Sequence, residues 1–325
     1  MLAALRAEIR RTVVLYCEEP LFRKAMLCAL ARPGFALHPQ APCRAGILTL
    51  EVYQAISGSL GVAAIQAAVA VELHMQAAYM FDNVADRDTN CHDLSVAEEL
   101  ALAIALLSWG QAAAGEAVCV AGRNGIGLRS LLKWSRSCAS GCCAGQFLDA
   151  YLEKRPRVTI DEAITMTSMK AGNLGRFAAG LGASVATDSC EMVRLCGDFG
   201  FNLFTCLQLV DDLRDACPAQ GPQSDLVRHK KTLPLVFFHD SLAGKSNGVV
   251  CSIMPADAFG EDGLDVIQAF KASDAQLFGV IVAEAFLNRA KSNLADIKNR
   301  VATTGNLERL VSSFEINPRE VVACS

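Results

Sequence analysis

Apolar residues recur along most of the chain at the spacing of an amphipathic helix, and we find no convincing run with the period of two that a strand requires. Two capping-box patterns, Ser95-x-x-Glu98 and Thr159-x-x-Glu162, each precede a long apolar-periodic stretch and mark helix starts. The breaks between stretches are short and polar. The pattern therefore predicts helices at roughly 2–31, 46–85, 95–121, 127–153, 160–185, 189–216, 230–243, 264–272 and 274–303.

The segment 217–224 is the most loop-like part of the chain, because it combines two prolines with a glycine and polar residues. It could serve as a lid over a site or as a plain connector. No linker divides the chain and no internal repeat is evident. We therefore expect one all-α domain over 1–325.

The composition supports helices and excludes some function classes. The chain has 325 residues, is 52% hydrophobic and contains only four Tyr and two Trp. Its net charge of −4 and the absence of a basic run give no reason to expect nucleic-acid binding. Of 14 cysteines, Cys138, Cys142 and Cys143 are closest together, at helical spacing, and no CxxC pair occurs. We expect the cysteines to be mostly small core residues.

The apolar stretches do not predict a transmembrane segment. The stretch 61–73 is interrupted by Gln66 and Glu72, and 100–121 contains Gln111 and Glu116, so neither has the uninterrupted length of a spanning helix. Charged residues near the N-terminus occupy the place where a signal peptide would be apolar. We expect buried helices in a soluble, cytoplasmic protein.

Two aspartate clusters lie within these predicted helices, far apart along the chain. The first runs from Phe81 to Asp86, with Asp82 and Asp86 four residues apart, and the second contains Asp211, Asp212 and Asp215. Four residues is about one helical turn, so the paired carboxylates share a helix face. One such pair alone is commonly a solvated face, but two pairs that each follow apolar residues point to a shared function.

Carboxylates crowded among apolar residues repel one another unless a cation joins them. Carboxylate oxygens from facing helices suit Mg²⁺, which typically binds one or two carboxylates together with waters and substrate phosphates. The sequence therefore predicts a metal-diphosphate site in a helical bundle.

Further motifs accompany the clusters in order. They are Glu72 ten residues before the first Asp, Gly145-Gln146-x-x-Asp149, Met169-Lys170-Ala171-Gly172-Asn173-Leu174, the run Gln208 to Asp215, and the run Ser224 to Pro234 with Lys230-Lys231-Thr232-Leu233 inside it. Together these motifs resemble those of the trans-polyprenyl diphosphate synthase (polyprenyl synthetase) family of isoprenoid synthases, over about 40–300. The resemblance implies a single-domain bundle of about ten or more helices around a deep central cavity. It also implies a homodimer.

The resemblance implies three Mg²⁺ ions and an allylic prenyl diphosphate bound between the two clusters. By motif position, Asp82, Asp86 and Asp211 would be direct metal ligands, with Asp212 and Asp215 acting directly or through water. Asn83 replaces an Asp that is usual in the family, which removes one charge but keeps the first and last positions of that motif. The residues implied in diphosphate binding are Lys170, Gln208, Lys230, Arg87 and Arg44.

The chain departs from the family where a second substrate, isopentenyl diphosphate, would bind. The segment 40–46 keeps one arginine, Arg44, of three basic residues. Met75 stands at a histidine position, with His74 turned about 100° around the helix, and Arg87 is followed by Asp88 instead of Arg-Gly. A second diphosphate needs cationic partners to leave water, so this site looks dismantled while the allylic site looks intact.

Three functions are compatible with these motifs. The first is ionisation of an allylic diphosphate followed by cyclisation, a terpene-synthase-type activity. The second is a prenyltransferase, either an (E)-polyprenyl diphosphate synthase or an enzyme that prenylates a non-isoprenoid acceptor. The third is a non-catalytic subunit of a prenyl synthase. We expect the first, because the isopentenyl diphosphate site looks lost.

Small residues stand one turn before the first cluster. Ala77 and Ala78 resemble the chain-length positions of longer-product members, because a bulky side chain there would close the pocket. They favour a substrate of about C15 to C20. Ordinary small residues in helix packing explain them equally well.

Overall fold

The computed structural model describes residues 1–85, 94–122, 125–216, 225–226, 228–245, 264–301 and 303–312. Helices account for nearly all of this part of the chain, and no strand occurs within it, so the predicted all-α class is confirmed. The α-helices are α1 Leu2–Tyr16, α2 Pro20–Leu30, α3 Arg44–Ser57, α4 Val62–Ala85, α5 Val96–Val120, α6 Gly125–Glu153, α7 Ile160–Thr167, α8 Asn173–Ala186, α9 Cys190–Asp215, α10 Leu233–Lys245, α11 Leu264–Lys271, α12 Ala275–Lys298 and α13 Gly305–Ser312.

Two predicted helices were wrong because each is broken by a local signal. The helix predicted at 2–31 ends at Tyr16, and α2 begins at Pro20, whose ring fits the first turn of a helix but not its interior. Glu19 caps α2, where its carboxylate accepts the backbone N–H of Leu21 at 3.1 Å. The helix predicted at 46–85 is interrupted at Gly58, which has a left-handed φ of 82°.

The two predicted capping boxes are confirmed. Ser95 and Glu98 exchange hydrogen bonds at the start of α5, and Thr159 and Glu162 do so at the start of α7. After α7 the helix does not end but widens into a π-helical turn, Ser168–Gly172, before α8 begins. No sequence pattern predicted this turn, which contains Lys170.

The chain forms two compact units. The first comprises Met1–Cys138, Leu174–Gly200 and Asn293–Arg309, and the second comprises Ala139–Asn173, Phe201–Ser292 and Leu310–Ser325. The expectation of a single domain stays a prediction.

The core of the first unit is built around α4. Every residue from Ala67 to Ala77 is buried, so this stretch has no solvent face, which is typical of a central helix. Helices α1, α3 and α5 pack against it.

Helix α5 is long and apolar enough to cross a membrane by length and composition, although Gln111 and Glu116 led us to expect no such helix. Within the described part of the chain it is the one helix that meets this test, and 39% of the tested window is buried inside the protein. Leu102, Ala103 and Leu106 of α5 belong to the core around α4, so packing accounts for part of its apolar character. Length and composition of one helix are weak support for a membrane span.

Candidate active site

The second aspartate cluster lies in the last two turns of α9 in the second unit. The helix is continuous to Asp215, so Asp211 and Asp215 share a helix face as their spacing predicted. Asp211 is half-buried and accepts a hydrogen bond from Arg214 Nη1 at 3.1 Å. The pKa of Asp215 is raised by partial burial of its carboxyl and by the nearby Asp211.

Asp212 is the most buried carboxyl of this cluster, at 6% exposure. Its Oδ1 accepts a hydrogen bond from Gln208 Nε2 at 2.8 Å, one turn earlier on α9, and the predicted role of Gln208 in diphosphate binding stays a prediction. The pKa of Asp212 is raised to about 8, mainly by burial and to a smaller extent by the carboxyls of Asp225 and Asp149, while Gln208 and Lys170 oppose the shift. A carboxyl in this setting would be ionised by an added positive charge.

Lys170 reaches the same cluster from the π-helical turn. Its Nζ lies 2.8 Å from Oδ2 of the buried Asp149 on α6. Gly145, one turn before Asp149, lets α6 approach closely, because a Cβ built at this position would lie 2.3 Å from Lys170 N. Such π-helical turns frequently occur at functional sites, where they re-aim a side chain. Here the turn and the glycine together direct Lys170 toward Asp149.

Lys230 lies in the short segment before α10 and is also buried, at 8% exposure. Its Nζ pairs with Glu153 Oε1 at 2.7 Å. The backbone around it is tied to α9, because Asp225 N–H donates to Asp215 O at 3.0 Å and Lys230 N–H donates to Asp225 O at 3.1 Å. The structure therefore holds Lys230 through both its backbone and its ammonium group.

The first aspartate cluster is described only in part. Asp82 and Asn83 are half-buried in the last turn and a half of α4, in the first unit. Asp86 and Arg87 lie outside the described residues, so their predicted roles stay predictions. Among the residues described, no group of three or more His, Cys, Asp or Glu side chains is arranged to hold a metal ion.

The residues ahead of Asp82 form a buried polar network in the first unit. Glu72 is 2% exposed, and its Oε1 accepts the backbone N–H of Gly46 at 2.7 Å. Burial raises the pKa of Glu72 to about 7. His74 contacts Ala70 O through Nδ1 at 2.8 Å and stands edge-on to Phe177, and burial lowers its pKa. Met75 at the next position is also buried.

A guanidinium from a distant part of the sequence lies beside the segment that contains Arg44. Arg6 of α1 donates from Nε to Ala36 O at 3.3 Å and from Nη2 to Ala41 O. Cys43 adjoins it, and its pKa is raised to about 12 by burial and by Glu72, with Arg6 opposing the shift. Arg44 itself is half-buried at the start of α3. Arg6 is a cation of this region that the sequence motif did not contain.

The two alanines predicted to set chain length differ in exposure. Ala77 is fully buried within the core of the first unit, whereas Ala78 is half-buried. Their predicted role as pocket residues stays a prediction.

A family profile described as polyprenyl synthetase matches residues 44–254, which is more than half of the chain. The chain belongs to the polyprenyl synthetase family. The predicted resemblance is thereby confirmed.

Individual members of the polyprenyl synthetase family match over different lengths. A geranylgeranyl diphosphate synthase of Mycobacterium tuberculosis is 34% identical over 116 residues, which is 34% of this chain and 33% of that protein. The chain thus aligns with about a third of this curated relative. The structure of a heptaprenyl diphosphate synthase from Staphylococcus aureus is similar with a TM-score of 0.77 at 15% identity, covering 97% of this chain and 98% of that one. A geranylgeranyl pyrophosphate synthetase from the archaeon Geoglobus acetivorans gives 0.77 at 18% identity, covering 99% and 97%.

Two contacts in this member of the polyprenyl synthetase family were missed by sequence reasoning. The pairing of Glu153 with Lys230 joins residues that no motif connects, although the position of Glu153 one turn after Asp149 was a usable signal. The proximity of Asp225 to Asp212 accompanies the hydrogen bond from Asp225 N–H to Asp215 O, a tertiary contact that no motif predicts. Gln208 donates a hydrogen bond to Asp212, and Lys170 interacts electrostatically with it, while the roles predicted for both residues stay predictions.

Proposed function

We propose that this protein is a divalent-cation-dependent prenyltransferase that transfers the prenyl group of an allylic diphosphate to isopentenyl diphosphate. The observation that carries the proposal is the polar cluster of the second unit, where Lys170 lies near Asp149 and the buried Asp212. The family assignment supports this class of reaction, and the relatives named above are prenyl diphosphate synthases. They favour a prenyltransferase over the cyclase that we expected from the sequence.

The carboxylate cluster fits a bound metal ion by its chemistry. Asp212 and Asp215 have raised pKa values because burial and neighbouring carboxyls disfavour their charge, and a cation would reverse that effect. Asp211, Asp212 and Asp215, with Asp82 and Asp86 of the first cluster, are the residues that would hold Mg²⁺. The metal, when bound, would neutralise the diphosphate leaving group. The family resemblance supports three ions.

The residues around the two lysines fit a diphosphate. Lys170 and Lys230 would each donate to its oxygens and stabilise the charge that develops as the C–O bond breaks. Each ammonium group pairs with a carboxylate oxygen, Lys170 with Asp149 at 2.8 Å and Lys230 with Glu153 at 2.7 Å, which supports anion binding at both lysines.

One specific observation favours a different class of acceptor, one without a diphosphate. Met75 is buried at the position where the resemblance implies a histidine. The loss of a cationic partner there favours an uncharged acceptor over a second diphosphate. Prenylation of a non-isoprenoid acceptor is therefore the alternative. A silent subunit is disfavoured, since it has no need of buried carboxylates beside lysines.

The remaining features of the proposal concern size, assembly and location. We propose an allylic substrate of about C15 to C20, supported by the small, half-buried Ala78, whereas the fully buried Ala77 packs within the core of the first unit. We also propose a homodimer in the cytoplasm, as the family resemblance suggests. Size-exclusion chromatography with light scattering would test the dimer.

The deciding experiment is a product analysis. The purified protein would be incubated with Mg²⁺ and geranyl, farnesyl or geranylgeranyl diphosphate, each with and without isopentenyl diphosphate. An elongated prenyl diphosphate that needs isopentenyl diphosphate supports the proposal. Cyclised hydrocarbon formed from the allylic diphosphate alone would overturn it in favour of terpene cyclisation. Binding of the allylic diphosphate without turnover in either condition would favour the uncharged acceptor.

A further inference from the structure

One edge of α6 carries two carboxylates that each contact one of the two lysines proposed for diphosphate binding. Asp149 and Glu153 are one turn apart and therefore lie on the same face. Asp149 Oδ2 lies 2.8 Å from Lys170 Nζ, and Glu153 Oε1 lies 2.7 Å from Lys230 Nζ. The same helix thus supplies an anion to both cations.

The two ion pairs differ in how easily the carboxylate could leave. The Asp149 side chain is 9% exposed, so separating it from Lys170 would strand a buried charge. The Glu153 side chain is 37% exposed while that of Lys230 is 10% exposed. Glu153 can therefore turn into water when another anion takes its place, whereas Asp149 cannot.

The surroundings of Lys230 explain why it needs an anion at all times. A buried ammonium is unfavourable without a partner. The neighbouring Lys231 shows the local cost, because burial lowers its pKa and Glu153 opposes that shift. Glu153 also stands at the last residue of α6, where the helix dipole disfavours a carboxylate. The position of Glu153 is therefore better explained by its attraction to Lys230 and Lys231 than by a stabilising effect on α6.

We propose that Glu153 is a positioning residue that holds Lys230 in the absence of substrate and is displaced from it by the diphosphate. The inference rests on the proposed function, since it takes Lys230 as a diphosphate ligand. The backbone of Lys230 is fixed through its N–H to Asp225 O at 3.1 Å, so only the side-chain ammonium exchanges partners. When pyrophosphate leaves, Glu153 returns to Lys230 and competes with rebinding.

The test is a double-mutant cycle read by calorimetric binding of inorganic pyrophosphate in the presence of Mg²⁺. The proteins are the full chain as wild type, Glu153→Gln, Lys230→Ala and the double variant. Glu153→Gln removes the competing charge and should tighten pyrophosphate binding about two- to five-fold, the equivalent of a partly exposed ion pair. Because Glu153 acts through Lys230, the same change should have no effect in the Lys230→Ala background.

A matched control removes a carboxylate from an ion pair away from the lysines. Glu191 pairs with Arg300 at 2.9 Å in the first unit, so Glu191→Gln should leave pyrophosphate binding unchanged. Thermal unfolding of each variant separates a loss of fold from a loss of binding.

The outcomes distinguish this inference from the function on which it rests. If wild type binds pyrophosphate but Glu153→Gln does not tighten binding, the exchange is wrong and the proposed function stands. If the gain persists in the Lys230→Ala background, Glu153 acts as a general negative charge and is not a positioning residue. If wild type binds no pyrophosphate with Mg²⁺, the proposed function itself fails.

Discussion

Replacing Gly145 by alanine should weaken both the fold and the site, because this glycine lies at the close contact between α6 and the turn that carries Lys170. A Cβ at residue 145 would lie 2.3 Å from Lys170 N and 2.6 Å from Lys170 Cα. Both atoms belong to the backbone, so no side chain can rotate away. Ordinary van der Waals contact then requires α6 and the π-helical turn to separate by roughly 1 Å.

The size of the effect follows from two opposing contributions. Alanine is favoured over glycine within a helix by about 0.5–1 kcal/mol. Overpacking of a buried contact costs about 1–3 kcal/mol, so we expect a net loss in the free energy of unfolding centred on about 1 kcal/mol and at most about 2.5 kcal/mol. Moving Lys170 by roughly 1 Å should also lower turnover of the allylic diphosphate by up to about 100-fold.

Urea unfolding and steady-state turnover would measure the two effects. Gly115 of α5 offers a matched control, because a Cβ built there meets nothing within 4 Å. Gly115→Ala should therefore stabilise the protein or leave it unchanged, with normal turnover. A Gly145→Ala protein as stable and as active as wild type would refute the close-packing explanation of this segment.

Three further predictions concern the two lysines of the second unit and two buried residues of the first. Lys170→Ala and Lys230→Ala should each lower turnover, measured by steady-state kinetics, about tens- to hundreds-fold, and circular dichroism should show that both variants stay folded. Unchanged turnover in both variants would remove the two lysines from the mechanism. The raised pKa of Glu72, about 7, means that the folded state binds its proton more tightly than the unfolded state. The free energy of unfolding should therefore fall by at most about 3 kcal/mol as pH rises from about 4.5 to about 7. Glu72→Gln should abolish this decrease in unfolding curves measured at several pH values. An unaltered pH dependence in the variant would contradict the assignment to Glu72. Met75→His should lower the KM for isopentenyl diphosphate about two- to ten-fold, the worth of one hydrogen bond, because an imidazole N–H there could donate to a diphosphate oxygen. Met75→Leu is the control, and equal effects of both substitutions would contradict a hydrogen bond.

Sequence patterns predicted the helices well where a side chain marks the boundary. Ser95 and Thr159 each stand directly before a helix, and the structure begins α5 and α7 at the next residue. The breaks at Pro20 and Gly58 also had local causes, but apolar periodicity continued across both and concealed them. A period of 3.6 shows which face is buried and does not show where the backbone turns.

The π-helical turn illustrates what local sequence cannot supply. Ser168–Gly172 contains no proline, and its deviation from α-helix accompanies the close approach of Gly145 on another helix. Likewise, the partner of Lys230 is a glutamate at the end of α6, far away along the chain. Motif order proposes which residues belong to the site, and that assignment stays a prediction, whereas their ionic partners depend on tertiary packing and cannot be read from motifs.

The expectation of a cyclase came from counting cations within a motif, and the structure shows why such a count is incomplete. The segment 40–46 contains one arginine, yet Arg6 reaches it from α1 and donates to Ala36 O and Ala41 O. The charge of a pocket is a sum over all helices that approach it, because Coulomb attraction depends on distance in space and not along the chain. A missing basic residue in one motif therefore weakens the case for a second diphosphate without excluding it. The family assignment then favours the prenyltransferase, and the affinity for isopentenyl diphosphate becomes the quantity that separates an elongating enzyme from one that uses an uncharged acceptor.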